Sequence, residues 1–291
     1  MSAYWLDYLP YSTWFSSLAN EISFFIIVTL VGFNPSDFDN IITSGDVSHS
    51  LLQNNANSLG CQNWDVLTEL INEKKQNVYV FGSGDDDESY CASAGWTLTS
   101  IEDAHLIIAR GTFTINNGST IISKKEDESE YWKVMEESMT IAAQRKLPML
   151  VCNPDKVRPD PGLPPMPGAI GDTYERFVWT SHCHPVGDMT EEKAREYVKR
   201  IGKPFSEVYD IALGSDGGSR AIMIGDALET DIVGGHSAEV DSLWVINDGI
   251  HGKDVKDSGA DNVLDGFNGN EFTYAYGKKV MPRFMTGHFR W

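Results

Sequence analysis

The first 73 residues contain no lysine and no arginine; Lys74 is the first basic side chain, and eight Asp and Glu lie ahead of it. The basic leader that a secretory signal needs is therefore missing. Over all 291 residues, 42 acidic groups face 23 basic ones, a net charge of −19. A field of that sign repels a nucleic-acid backbone and an anionic membrane, so neither is expected as a partner. It leaves room for a phosphorylated small molecule, because a local lysine or a bound cation reverses the field inside a cleft. Cysteine is scarce: there are four, at 61, 91, 152 and 183, and none forms a C-x-x-C pair. That excludes a disulfide framework and suits a reducing compartment. The strongest apolar run, Phe24 to Val31, falls far short of the ~20 residues of a membrane helix. Together these absences predict a soluble, cytoplasmic chain.

Several catalytic signatures are also missing. No G-x-x-x-x-G-K-[ST] occurs, so a P-loop is out. Gly82-Ser83-Gly84 lacks the third glycine of a dinucleotide fingerprint, and Asp85-Asp86-Asp87 follows where a pyrophosphate would sit. Gly235-His236-Ser237-Ala238-Glu239 lacks the closing glycine of a nucleophile elbow. His182-Cys183-His184 has no second pair at zinc spacing, and neighbours in sequence do not converge on one tetrahedral ion, so it reads as a surface loop.

What is present is an ordinary globular composition, 41% hydrophobic and 22% charged, which excludes disorder. The length fits one large domain or two modest ones. Apolar runs at 41–43, 78–81, 106–109, 149–152, 221–224 and 243–246 read as strands, the first ending in Ser44-Gly45. The last two have the all-apolar text of buried strands. Helical spacing covers 64–73 and 130–146, and Glu191 to Arg200 reads as a charged surface helix. Six prolines between 154 and 167 make that stretch a rigid loop. Strands alternating with helices predict an α/β protein with parallel sheets.

Two stretches carry chemistry. In Ala221-Ile222-Met223-Ile224-Gly225-Asp226, the aspartate stands at the carboxyl tip of a strand, the edge where open α/β sheets bind ligands. Asp231 follows five residues on, at the start of the next helix. Two carboxylates so placed either hold a hard divalent ion such as Mg²⁺ or serve as a turn residue and a helix cap. In Ile201-Gly202-Lys203-Pro204-Phe205, Lys203 stands just before a helix, where its ammonium would add a point charge against a phosphoryl oxygen.

Their order and separation resemble motifs three and four of the haloacid dehalogenase superfamily, most closely its subclass IIA of nucleotide monophosphatases and 4-nitrophenyl phosphatases. Ile41-Ile42-Thr43-Ser44-Gly45, Val78-Tyr79-Val80-Phe81-Gly82 and Cys152-Asn153-Pro154-Asp155 with Pro167-Gly168-Ala169 are similar to further elements of that subclass. The resemblance covers roughly residues 31–291. It implies a doubly wound, Rossmann-like parallel-sheet core, residues 1–75 and 196–291, atypical at 1–33. An inserted α/β cap would span residues 76–195. It implies Mg²⁺-dependent hydrolysis of a small phosphomonoester through a phospho-aspartyl intermediate. Lys203 would hold phosphate, Asp226 and Asp231 the metal, and Thr43, Ser44, Asn153 and Asp155 would contribute to the substrate pocket.

The chain departs from that pattern at its centre: no D-x-D-G occurs anywhere. Asp7 and Asp39 are the nearest candidates for a nucleophile. Both, like Asp85-Asp86-Asp87, read more simply as turn or cap carboxylates. Phe15-Ser16-Ser17-Leu18 is the motif-two candidate. Either residues 1–33 are an altered N-terminus, from a truncated, misjoined or frame-shifted gene, in place of the nucleophile strand, or the chain is a pseudoenzyme, a catalytically inactive binding or assembly module; in both cases activity is expected to be severely reduced. The terminal Phe289-Arg290-Trp291 docks on the core or meets a second copy in a homo-oligomer; both remain open. His251 reads as a satisfied loop histidine.

Overall fold

A computed structural model describes residues 34, 42–84, 86–158, 162, 164–182, 189–214, 221–268 and 279–289. Asp7, Asp39, the motif-two candidate, Cys183 and His184 lie outside the described residues. Those described fall into two compact units: the larger ends at Gly202, and the smaller begins at Lys203 and also holds Gly162. Among the described residues no helix is long and apolar enough to cross a membrane.

The larger unit is a sheet of β1 (Asn77–Gly82), β2 (Thr97–Leu98), β3 (Leu106–Ala109), β4 (Thr114–Asn116), β5 (Ile121–Ser123), β6 (Met149–Val151) and β7 (Val198–Arg200), ordered β5-β4-β1-β3-β6-β7 with β2 also on β1. β1, β3, β6 and β7 run parallel, and the β4–β5 hairpin joins antiparallel to β1. The four residues of β3 are all buried, as a parallel strand covered on both faces requires. The helix Glu128–Arg145 lays Tyr131, Met135, Met139 and Ala142 against this sheet, a spacing of three and four that puts them on one stripe. Within that core the Tyr79 hydroxyl meets Ser138 Oγ at 2.7 Å. Burial pushes Tyr79 up to about 12, so it stays a neutral partner.

Two elements differ from the sequence expectation. Ser44-Gly45 does not close a strand but opens the helix Ser44–Leu52. Thr43 is its N-cap: Thr43 Oγ1 accepts from Asp46 N at 3.1 Å and donates to Asp46 Oδ2 at 2.5 Å. A threonine three residues before an acid is a helix-start signal, and it outweighs the β-branched text preceding it. The charged helix stops at Arg195, and Val198–Arg200 is strand β7. Its backbone pairs with Met149–Val151, a long-range partner that local charge pattern cannot reveal.

The smaller unit has a three-stranded parallel sheet, β10 (Phe284–Thr286), β9 (Asp241–Val245) and β8 (Ile222–Gly225), in that order. Trp244 of β9 is fully buried with Leu228, Ile232, Val233, Leu264 and Phe267. The expectation of two buried strands holds for Trp244 and Val245 but not for β8. Ile222 and Ile224 are 43% and 38% exposed, because β8 pairs with β9 alone among the described strands.

Candidate functional site

The smaller unit brings Lys203, Asp226 and Asp231 together. Strand β8 ends at Gly225, where a side chain would collide with the Asp231 carboxylate, so the strand tip and the next turn close on each other only with glycine there. Beyond it, the π-helical turn Leu228–Ile232 carries Asp231 back toward the strand tip, with Asp231 N bonded to Ala227 O at 2.9 Å. Asp231 is 2% exposed and fully engaged. Its Oδ2 accepts from Asp226 N at 3.0 Å and Ala227 N at 3.1 Å, and its Oδ1 takes the Lys203 ammonium at 2.5 Å.

Asp226 is held from the other side. Trp244 Nε1 donates to its carbonyl at 3.0 Å, and Ile250 N donates to its Oδ2 at 3.1 Å. Burial pushes the Asp226 carboxyl above the usual carboxylate range, and the Asp231 charge adds to that; the Ile250 bond and Lys203 oppose it more weakly. A group in that state gains from a cation placed against it.

The arrangement presents a lysine whose side chain is 46% exposed, pinned at its tip by a buried carboxylate. Beside it stands a second carboxylate, Asp226, whose Oδ2 is the oxygen that the backbone holds. Among the described residues no three His, Cys, Asp or Glu converge into a metal-binding group. Among the described residues the donor at this turn is the Asp226 carboxylate, with Asp231 bonded to its backbone N–H. That fits Mg²⁺, which binds through one or two carboxylates together with phosphate oxygens and water.

His251 lies next to this turn. Its Nε2 is 3.3 Å from Leu228 N and 3.1 Å from Glu229 Oε2. Unprotonated at that atom it accepts from Leu228, and protonated it donates to Glu229. Either way it is a satisfied loop histidine.

The remaining expected site residues lie in the larger unit. Thr43 is occupied as a helix cap. Asn153 Oδ1 accepts from Asp155 N at 2.9 Å, and Asp155 O accepts from Gly168 N at 3.0 Å, so both residues shape the turn after β6. Ser44 meets this turn through Gly202: at φ +128° that glycine sits where a Cβ would press on both Pro154 and Ser44. Ser44, Asn153 and Asp155 are thus gathered around one loop.

One charged group escaped the sequence reading. Arg110 follows the last residue of β3 and is 5% exposed. It donates to Asp87 Oδ1 at 2.6 Å and Asp86 Oδ2 at 3.1 Å, with its guanidinium 3.8 Å from the Tyr90 ring centre. Asp87 is fully buried and also accepts from Gly84 N at 3.2 Å and Thr114 Oγ1 at 3.2 Å. Burial raises its carboxyl despite the guanidinium. The available signal was an arginine placed directly after an all-apolar strand, opposite an acidic run at the end of the neighbouring one.

Residues 200–268, which include Lys203, Asp226 and Asp231, match the sequence model of the HAD-hydrolase-like family. Among solved structures, a haloacid dehalogenase-like family hydrolase from Brucella suis 1330 is similar at 20% identity, over 79% of this chain and 70% of that one, with a TM-score of 0.52. A 4-nitrophenylphosphatase from Thermotoga maritima is similar at 16% identity, over 92% of this chain and 76% of that one, with a TM-score of 0.50. At these identities the likeness is one of fold. No curated protein sequence matches the chain at a significant level.

Proposed function

We propose that this haloacid dehalogenase-like protein binds a small phosphomonoester at Lys203 and Asp226 and hydrolyses it with Mg²⁺, at a rate reduced by the lack of a D-x-D-G nucleophile motif. The observation that carries this reading is the half-exposed Lys203 side chain, its ammonium on buried Asp231, beside Asp226, at the carboxyl end of β8. Lys203 would hold phosphoryl oxygens as a point charge. Asp231 keeps that ammonium and the Asp226 backbone in place. Asp226 Oδ1 would hold Mg²⁺, which when bound offsets negative charge on the phosphoryl group. The same reading takes residues 1–75 and 196–291 as the core and 76–195 as the cap, and gives Thr43, Ser44, Asn153 and Asp155 contacts to the substrate. Three buried cysteines, 61, 91 and 152, agree with a cytoplasmic setting.

The test is release of 4-nitrophenol from 4-nitrophenyl phosphate by the full chain, with Mg²⁺, with chelator, and in Asp226→Asn. Slow turnover that needs both the metal and Asp226 is the expected result. A phospho-enzyme mapping to Asp7 or Asp39 would then identify the nucleophile. The missing D-x-D-G favours a second reading, a non-catalytic binding module on the same fold. Phosphate binding without turnover, in a chain that melts cooperatively, would establish that alternative.

A further inference from the structure

Hydrolysis needs a group that takes the proton of the attacking water, and Lys203, Asp226 and Asp231 are all committed to other tasks. Lys203 is an ammonium on Asp231, both Asp231 oxygens are engaged, and Asp226 is the carboxylate assigned to the cation. Among the described residues two histidines follow strands of the small sheet at its carboxyl edge, and their surroundings differ. His251, after β9, has a side chain 12% exposed, and its Nε2 is shared between Leu228 N and Glu229 Oε2. His288, after β10, has a side chain 49% exposed, and its Nδ1 lies 2.7 Å from Asp248 Oδ1.

The contacts of His288 fix its tautomer. An ionised carboxylate only accepts, so Nδ1 carries the hydrogen that points to Asp248. Nε2 faces the Asn247 amide nitrogen, a donor, at 3.4 Å, so Nε2 presents its lone pair. That second contact is long enough to be weak, and a water can take its place. The backbone holds the ring where it is: Asn247 N donates to Gly287 O at 2.8 Å, and Thr286 Oγ1 donates to His288 O at 2.9 Å. A half-exposed imidazole with its Nδ1 hydrogen on a carboxylate and a lone pair on Nε2 is in the form that accepts a proton. The turn that carries Asp248 also touches Asp226. Gly249 sits where a side chain would meet Asp226 Cβ, and Ile250 N donates to Asp226 Oδ2 at 3.1 Å. Asp226 follows β8 and His288 follows β10, with β9 between them, so the two stand about two strand spacings, ~10 Å, apart along one sheet edge. A phosphoryl group on a cation at Asp226, followed by one water, spans such an interval.

We propose that His288 is the general base of this site, oriented by Asp248. This role rests on the reading of Lys203 and Asp226 as a phosphomonoester site. A water between Nε2 and phosphorus gives a proton to Nε2 as its oxygen forms the new P–O bond. The bond from phosphorus to the leaving oxygen breaks, and its electron pair stays on that oxygen. With 4-nitrophenyl phosphate the leaving group departs as the phenolate, and the imidazolium returns its proton to bulk water. Asp248, the charged group in contact with the ring among the described residues, stabilises the imidazolium while it lasts.

Rate against pH, measured on the full chain with 4-nitrophenyl phosphate and Mg²⁺, tests it. Turnover should fall toward acid as Nε2 takes a proton from solvent instead of from the attacking water. His288→Gln should lower kcat about 10²–10⁴-fold, change KM less than about threefold, and lose that acid limb. Asp248→Asn should lower kcat by a smaller factor. Added imidazole should restore turnover to His288→Gly, which a merely structural loss would not allow. Near-ultraviolet circular dichroism confirms that each variant keeps its fold. If the unsubstituted chain shows no turnover that needs Mg²⁺ and Asp226, the phosphomonoester reading is overturned and this base with it. If that turnover is present and His288→Gln leaves it unchanged, or imidazole fails to restore His288→Gly, the base alone is overturned.

Discussion

Each unit places an aspartate against a cation at the carboxyl end of a parallel strand, and the two pairs are built to different ends. In the larger unit Arg110 and Asp87 have side chains 3% and 0% exposed. The guanidinium spends its donors on Asp87 and Asp86 and its face on Tyr90. In the smaller unit the Asp231 side chain is 3% exposed but that of Lys203 is 46% exposed. Asp231 keeps two backbone N–H bonds whether or not the lysine is there. Burying both partners makes a pair that the fold depends on, since either charge alone would be stranded in low dielectric. Leaving the cation half in water leaves the fold less dependent on the pair. Similar distances, 2.6 and 2.5 Å, thus conceal different burial, and exposure tells the two pairs apart.

The largest test of that contrast is stability. Arg110→Met strands a buried carboxylate and should cost about 3–5 kcal/mol, read from urea unfolding of the full chain. Lys203→Met should cost about 1 kcal/mol or less. Equal costs would break the comparison. Activity should reverse the order of sensitivity: Lys203→Ala should lower 4-nitrophenyl phosphate turnover about 10²–10³-fold while leaving the unfolding midpoint nearly in place, as for loss of one charge-stabilising donor.

A smaller effect concerns pH. Asp226 is raised above the ordinary carboxylate value by burial first and by Asp231 second. Its contribution to stability is therefore fully present below the unfolded-state pKa and is lost as pH rises through the folded value. The loss is about 1.4 kcal/mol for each pH unit that separates those two values. Thermal melts of metal-free protein should show this decline toward neutral pH, and Asp226→Asn should flatten it. If the slope survives in the variant, another group is responsible. The smallest effect is at Thr43: Thr43→Ala removes the cap of the Ser44–Leu52 helix and should cost about 1 kcal/mol, seen as faster amide exchange in its first turn.

Local signals made much of this architecture readable. Leu106–Ala109 and Met149–Val151 lie in short apolar runs that read as buried strands, and the helix Glu128–Arg145 shows its period in Val134, Met139 and Ala142. Lys203, Asp226 and Asp231 stood out through their order along the chain. Other features depended on distant partners. Val198–Arg200 became a strand because Met149–Val151 lies alongside it, and Arg110 acquired its role from Asp87, 23 residues away.

Composition, charge and apolar period determined by themselves that this is an acidic α/β chain with a strand-tip aspartate and a lysine ahead of it. The tertiary structure decided how those groups are used. It set Asp231 on Lys203 with its other oxygen on the strand-tip backbone, held Asp226 Oδ2 on Ile250 N, and buried Arg110 against Asp87. The physical reason is range. Propensity and periodicity act over a few residues and are written in the chain, whereas the state of a charge depends on what is packed around it, and packing joins residues that sequence keeps far apart.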